Sequence, residues 1–157
     1  MQIRSYEPRD RAAVVRLSLR AWAPVFPSIE QALDPAVYRH FFPDWRQCQQ
    51  KAVEDVCADQ GTHVWVGEEN GNVIAFTAIV LREPTFGEIY MIAVDPDVQQ
   101  RGIATALTNF ALDWMRQNGV IVAMVETGAD PGHAPARRTY ERCGFRLSEV
   151  ARYFKKL

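Results

Sequence analysis

The sequence is poor in cysteine and carries no excess of charge of either sign. Its three cysteines, Cys48, Cys57 and Cys143, are odd in number and lack the spacing of metal ligands. We therefore expect free thiols in a reducing cytoplasm and no bound metal. The formal net charge of −1 lacks the basic surplus by which proteins bind nucleic acid, so no nucleic-acid partner is expected.

Long hydrophobic runs are missing as well. No apolar stretch approaches the roughly 20 residues that span a bilayer, so no membrane partner is expected. Charged residues interrupt positions 1–10, where a signal peptide would need an apolar segment, and a cytoplasmic location is predicted. The 157 residues, 48% hydrophobic and 24% charged, are sufficient for one domain with its own core.

The apolar periodicity predicts an α/β chain in which strands and helices alternate. Helices are expected at 10–22, at 35–61 with a break at Pro43, at 100–118 and at 136–143, and a loop is expected at 23–34. Asn70 and Gly71 predict a tight hairpin turn. Strands are expected at 2–6, 63–68, 73–81, 88–94 and 120–126, with closing strands at 145–150 and 152–156.

The stretch from Gln99 to Ala104 lies between a predicted strand and the start of a predicted helix. Backbone N–H groups at a helix N-terminus have no partner within the helix, and the helix dipole adds positive potential there. Gly102 has no Cβ, so its backbone can approach an anion closely. The stretch therefore predicts a phosphate-binding loop.

A second cluster follows the next predicted strand, with the pattern Ala136-x-x-x-Tyr140-x-x-x-Gly144-Phe145. Together with Gln99-x-x-Gly102-x-Ala104, it resembles the GNAT superfamily of acyl-CoA-dependent N-acyltransferases. The resemblance implies a single GNAT domain over residues 1–157. Its α+β fold would have a mixed, mostly antiparallel sheet of about seven strands, about four flanking helices, and a V-shaped splay between strands 4 and 5.

The resemblance implies that acetyl-CoA binds as co-substrate and that no metal is needed. The pyrophosphate would lie on the loop's N–H groups, and the pantetheine arm would pair with the fourth strand like an added strand. His133, where many relatives have asparagine, would contact the arm, and Arg137 would reach the adenosine 3′-phosphate. The other expected contacts are Ile92, Ala93, Val94, Gln99, Gln100, Arg101, Gly102, Ile103, Ala104 and Thr105.

Tyr140 matches the general acid of the family, which protonates the departing thiolate; its alternative role is that of a core aromatic residue. The acceptor amine arrives protonated near pH 7 and needs a base. Glu126, at the end of one strand, and Glu88, at the start of its neighbour, are the candidates, although either could be a solvated strand-end charge. His133 is a third candidate base, or a loop residue without a catalytic role.

The implied reaction is direct acetyl transfer to a primary amine in a ternary complex, with a small-molecule acceptor favoured. The alternatives are a protein N-terminus or lysine as acceptor, and an acyl-CoA-binding regulatory module without turnover. Members of the family are often homodimers, so a homodimer is a further possibility. Aromatic residues of the first two helical regions are expected to form the core or to line the acceptor pocket: Trp22, Phe26, Tyr38, Phe41, Phe42 and Trp45.

Overall fold

A computed structural model describes all 157 residues and contains one five-stranded sheet with helices on both faces. The strands are β1 (Gln2–Ser5), β2 (Thr62–Glu69), β3 (Asn72–Glu83), β4 (Phe86–Val94) and β5 (Val122–Val125). The helices are α1 (Arg11–Trp22), α2 (Val25–Ala32), α3 (Pro35–Phe41), α4 (Trp45–Ala58), α5 (Ile103–Gln117) and α6 (Ala134–Arg142).

The order of the strands in the sheet follows their order in the chain. Neighbours from β1 to β4 are antiparallel, and the predicted hairpin turn is confirmed, with φ of 52° at Asn70 and 76° at Gly71. Strands β4 and β5 are parallel and are joined through α5. The predicted mixed, mostly antiparallel sheet is therefore confirmed.

The core lies in two layers, one on each face of the sheet. On one face, α1 and α4 pack Leu17 and Val53 against Phe76 of β3. On the other face, α5 packs Met115 against Ile89 of β4. Each fully buried side chain of this size contributes about 1.5–3 kcal/mol of transfer free energy. The central strands are thus fixed from both sides, and β4 gives the site a rigid base.

Strands β4 and β5 part after Ile89, which pairs with Val125 as the last residue of their ladder. Tyr90 has no partner on β3, because Ala78 of β3 pairs with Met91 and the following β3 residue, Ile79, pairs with Ile89. Such a bulge bends its strand and increases the local twist. The second half of β4 therefore turns away from β5, which confirms the expected splay.

The expected sheet of about seven strands is wrong in its count, because the strands predicted at 145–150 and 152–156 do not form. Residues 145–157 contain no glycine, proline, asparagine or aspartate that could close a hairpin between them. The segment leaves apolar side chains such as Leu147 and Tyr153 exposed.

The helices number six rather than about four, and the loop predicted at 23–34 is wrong, because it holds α2. Proline is tolerated there because Pro24 is the N-cap of α2 and Pro27 lies in its first turn, where N–H groups have no helical partner. Asp34 and Asp44 cap α3 and α4. None of the helices is both long enough and apolar enough to cross a lipid bilayer.

Candidate active site

The loop before α5 has the backbone conformation of an anion cradle. Gln100 and Gly102 have positive φ angles of 61° and 77°, and Gly102 is the N-cap of α5. The helical ladder starts with the bond from the Ala106 N–H to the Gly102 carbonyl. The N–H groups of Ile103, Ala104 and Thr105 are therefore available to a ligand. Nothing lies within 4 Å of the position that a Gly102 Cβ would occupy.

Two contacts fix this loop to the end of β4. The Gln99 side chain donates a hydrogen bond of 3.0 Å to the Val94 carbonyl. Ile103 is buried in a cluster with Val94 and Leu107. The predicted cofactor residue Gln99 is thus placed as a tether of the loop, and the free N–H groups lie next to the end of the open strand.

The splayed half of β4 presents backbone groups to the gap. The N–H of Asp95 donates to Ile74 on the β3 side. Because backbone groups of successive residues face opposite sides of a strand, those of Ile92 and Val94 face the gap, whereas those of Ala93 face β3. No β5 residue pairs with this part of β4. An extended ligand can therefore add to its edge like a strand.

Tyr140 lies on α6 close to the point where the gap begins. Its ring is 6.0 Å from that of Phe145, which packs against the cluster containing Ile89. Only 8% of Tyr140 is exposed, and this burial raises its pKa to about 12. The phenol therefore keeps its proton throughout the neutral range.

Glu88 is held on β4 by an arginine of β3. Ile89 faces α5, so Glu88 faces the other side of the sheet, with α1 and α4. Its side chain is 8% exposed, and Arg82 contacts its Oε2 through Nε at 2.7 Å and through Nη2 at 2.6 Å. The Arg82 guanidinium also lies 5.6 Å from the ring centre of Tyr90.

Glu126 follows β5 directly and is in a different environment. Its side chain is 65% exposed, and its Oε1 accepts a hydrogen bond of 3.2 Å from Arg152 in the C-terminal segment. The structure thus places both predicted carboxylates beside the splayed strands, but each carboxylate has an arginine partner. Glu88 is the buried one and Glu126 the solvated one.

His133 ends the loop 128–133, just before α6. Its Nδ1 lies 2.5 Å from Oδ2 of Asp130. Burial raises the pKa of Asp130, but hydrogen bonds from His133 and Ser28 outweigh burial and leave that pKa below its usual value. The Nη1 atom of Arg137 donates to the carbonyls of Gly128 and Asp130, at 2.5 and 2.9 Å. Arg137 is thus placed as a clamp on this loop.

Arg101 lies apart from the gap side of the loop. Its guanidinium forms an ion pair with Glu69 at the end of β2, at 2.9 Å. Sequence reasoning missed three polar residues that the structure brings to the site: Arg82, Asp130 and Ser28. For Asp130 a signal was available: it lies three positions before His133, with a Pro-Gly turn between them, a spacing that can bring the two side chains together. Arg82 and Ser28 are brought in by tertiary packing.

The parts of the site fit the chemistry of acetyl-CoA. A positive-φ loop with free N–H groups suits a pyrophosphate, and an unpaired strand edge suits the amide groups of a pantetheine arm. A protonated phenol, that of Tyr140, lies on α6 beside Phe145, which packs against the cluster containing Ile89. No group of three or more His, Cys, Asp or Glu side chains is arranged to hold a metal ion.

Sequence comparison matches residues 28–145 to the family described as Acetyltransferase (GNAT). The chain is similar to mycothiol acetyltransferase of Thermomonospora curvata, with 29% identity over 91% of this chain and 43% of that protein. The enzyme of the same name from Beutenbergia cavernae is 38% identical over 52% of this chain and 28% of that protein. The chain therefore spans less than half the length of these curated relatives.

Two solved structures share the fold. A GNAT-family acetyltransferase from Desulfovibrio desulfuricans has a TM-score of 0.73 and 23% identity, covering 95% of this chain and 87% of that one. PaiA N-acetyltransferase from Thermoplasma acidophilum, in complex with coenzyme A, has a TM-score of 0.72 and 11% identity, covering 96% and 92%. The sequence match, with this fold, confirms the expected family: the chain belongs to the acetyltransferase (GNAT) family.

Proposed function

We propose that the protein transfers an acetyl group from acetyl-CoA to a primary amine on a small molecule, by direct attack within a ternary complex. The observation that carries this proposal is the alignment of three parts along one gap. These parts are the phosphate loop at the end of β4, the unpaired edge of β4, and Tyr140 where the gap begins.

The chain's own groups hold acetyl-CoA by backbone contacts. Gln100, Gly102 and the first N–H groups of α5 bind the pyrophosphate. The backbone of Ile92 and Val94 binds the pantetheine arm, which directs the thioester toward the bulge at Tyr90. The complex of the PaiA relative with coenzyme A supports this choice of ligand. Side chains therefore contribute little to the binding of acetyl-CoA in this proposal.

The chemical step needs a polarised carbonyl and a proton for the leaving group. A backbone N–H near Ile92 polarises the thioester oxygen, whose negative charge grows as the amine attacks. The C–N bond forms and the C–S bond breaks, and the Tyr140 hydroxyl donates its proton to the thiolate. Because the pKa of Tyr140 is about 12, this proton is present at neutral pH. No covalent acyl-enzyme is required.

A small acceptor is supported by the aromatic residues around α2 to α4. Phe26 stacks on Trp45 at 4.7 Å and meets Phe42 at 5.2 Å, so these rings pack mainly on one another. Phe41 lies 5.5 Å from Phe154 of the C-terminal segment, and both rings stay about half exposed. An aromatic layer packed largely on itself suits a small acceptor. The relatives named for mycothiol, a small molecule, support the same acceptor class.

The direct test is release of free coenzyme A from acetyl-CoA, followed with a thiol-reactive chromophore in the presence of a panel of amines. The panel contains small primary amines, free lysine and peptides with free N-termini. Amine-dependent release by the wild-type protein supports an acetyltransferase, and the preferred amine identifies the acceptor class. Binding of acetyl-CoA without release by any amine would instead indicate a regulatory module.

A further inference from the structure

The loop 128–133 is organised around one buried carboxylate. Oδ2 of Asp130 contacts Nδ1 of His133 at 2.5 Å, and its Oδ1 accepts a hydrogen bond of 3.0 Å from the Gly132 N–H. The Asp130 side chain is 6% exposed. Ser28 of α2 accepts a second bond from the Gly132 N–H, at 2.9 Å, and ties the loop to the helical layer. A loop in this arrangement holds its histidine in one orientation.

The partner on Nδ1 decides the tautomer of His133. A carboxylate only accepts hydrogen bonds, so Nδ1 carries the proton of the neutral ring. The other ring nitrogen, Nε2, is then an unprotonated acceptor. It has no protein hydrogen-bond partner, and it is not fully buried, because no fully buried side-chain nitrogen lacks a partner. His133 therefore presents a basic nitrogen to space that solvent can reach.

Two other residues of the sequence, Gly128 and Arg137, support the contact between Asp130 and His133. A Cβ added to Gly128 would lie 2.6 Å from the Nδ1 atom of His133, closer than real Cβ atoms approach. Arg137 donates hydrogen bonds to the carbonyls of Gly128 and Asp130 in this loop. Glycine at position 128 and arginine at position 137 thus both serve to bring Asp130 against His133.

We propose that Asp130 positions His133 as the base that takes the proton from the acceptor ammonium, an inference that rests on the proposed acetyl transfer. The ammonium gives one proton to Nε2 through a water molecule, and the freed lone pair attacks the thioester carbon. The C–S bond breaks and the thiolate takes the Tyr140 proton. The nitrogen of the new amide loses its second proton through water to the Tyr140 phenolate, and His133 releases its proton to solvent, so the reaction releases one proton overall.

The positions of acid and base suit this sequence of steps. His133 and Tyr140 are seven residues apart, on the N-cap and in the last turns of α6. Seven residues make about two helical turns, which puts both on one side of the helix about 10 Å apart along its axis. This separation leaves room between them for the thioester, the amine and one water molecule.

The two carboxylates are less suited to the task. Oε2 of Glu88 already accepts a hydrogen bond from Nε of Arg82 and forms an ion pair with its Nη2, so a proton there would displace the guanidinium. Glu126 is 65% exposed and paired with Arg152, so water competes for every contact that it makes. Nε2 of His133 has no such competitor. The charged side chain in contact with the His133 ring is that of Asp130, and Arg137 of α6 is bound to carbonyl oxygens.

Asp130→Asn tests the positioning role because an amide N–H can donate to Nδ1 and move the ring proton to Nε2. We expect kcat/KM with an alkylamine to fall about 10²-fold, with acetyl-CoA affinity unchanged. The loss should shrink several-fold with a weakly basic amine that is already unprotonated at neutral pH. Asp113→Asn, which breaks an exposed aspartate–arginine pair on α5, is the matched control and should behave as wild type.

His133→Ala supplies an independent readout, because free imidazole in the buffer should restore part of the lost rate. Equal losses with strongly and weakly basic amines, or no loss in Asp130→Asn, would overturn the positioning role while leaving acetyl transfer intact. If wild-type protein binds acetyl-CoA but no amine releases coenzyme A, the proposed function itself fails, and this inference fails with it.

Discussion

Two nitrogens of Arg82 contact one carboxylate oxygen of Glu88, at 2.6 and 2.7 Å, across the β3–β4 pair. The Glu88 side chain is 8% exposed and that of Arg82 is 44% exposed. A carboxylate this far from water depends on its cation, because an uncompensated buried charge is costly. The pair therefore fixes a charged group in the paired part of β4, just before the point where β4 and β5 separate.

Arg82→Gln should lower the free energy of unfolding by about 1–3 kcal/mol, less than for a fully buried pair because Arg82 is half exposed. Arg152→Gln is the matched control, since it removes the partner of the exposed Glu126 and should cost under about 0.5 kcal/mol. Urea unfolding at pH 7 measures both. Equal costs for the two variants would show that the Arg82–Glu88 pair does not support the sheet.

The assignment of the base predicts a difference among three variants in their pH–rate profiles. The acidic limb of kcat/KM should persist in Glu88→Gln and in Glu126→Gln and disappear in His133→Asn, because only the last loses the proton acceptor. Profiles from pH 5 to 9, with acetyl-CoA saturating, give the comparison. Loss of the limb in one of the glutamine variants would transfer the role of base to that carboxylate.

Much of the fold could be predicted from local patterns. The hairpin at Asn70 and Gly71 follows from a dipeptide that tolerates positive φ, and the parallel β4–β5 pair follows from a strand–helix–strand pattern. The helix α2 could not be predicted in this way, because Pro24 and Pro27 indicate a break unless both fall at a helix start. The absence of the closing strands could not be predicted either, because a strand forms only where another strand pairs with it, and local patterns do not record such pairing.

For the candidate site, the sequence predicts the loop before α5 and the helix that carries Tyr140, but not their supporting contacts. The conformation of Gly102 follows from its position before α5. The contacts of Arg82 with Glu88 and of Ser28 with Gly132 join different elements, so they depend on tertiary packing. The tethering role of Gln99 likewise depends on where the Val94 carbonyl points.

Tyr140→Phe should lower kcat about 10²–10⁴-fold while leaving acetyl-CoA affinity nearly unchanged, because only the proton for the thiolate is lost. Steady-state coenzyme A release and calorimetry measure the two quantities. Tyr6→Phe is the control, since Tyr6 follows β1 on the far edge of the sheet. Parallel loss of rate and affinity in Tyr140→Phe would point to a structural role for this ring.

Tyr140 should also make stability fall at alkaline pH. The unfolded chain loses the phenolic proton near pH 10, whereas the folded protein keeps it to about pH 12. The contribution of Tyr140 to the free energy of unfolding is therefore complete below pH 10 and is lost as pH rises through this window. Between pH 8 and pH 11, the free energy of unfolding of the wild-type protein should fall by about 1.4 kcal/mol more than that of Tyr140→Phe. Denaturant unfolding from pH 8 to 11 measures this; identical pH dependence in the two proteins would contradict the effect of Tyr140 burial on its pKa.

The central claim is that the loop before α5 binds acetyl-CoA, and calorimetric titration tests it most directly. Gly102→Val places a branched side chain where the pyrophosphate should lie, and Gly119→Val is the control. Gly119 has a similar φ, 82° against 77°, and lies at the other end of α5. We predict that the wild type and Gly119→Val bind acetyl-CoA with micromolar affinity and that Gly102→Val binds it at least about tenfold more weakly. Unchanged affinity in a folded Gly102→Val protein, or no binding by wild type, would contradict it.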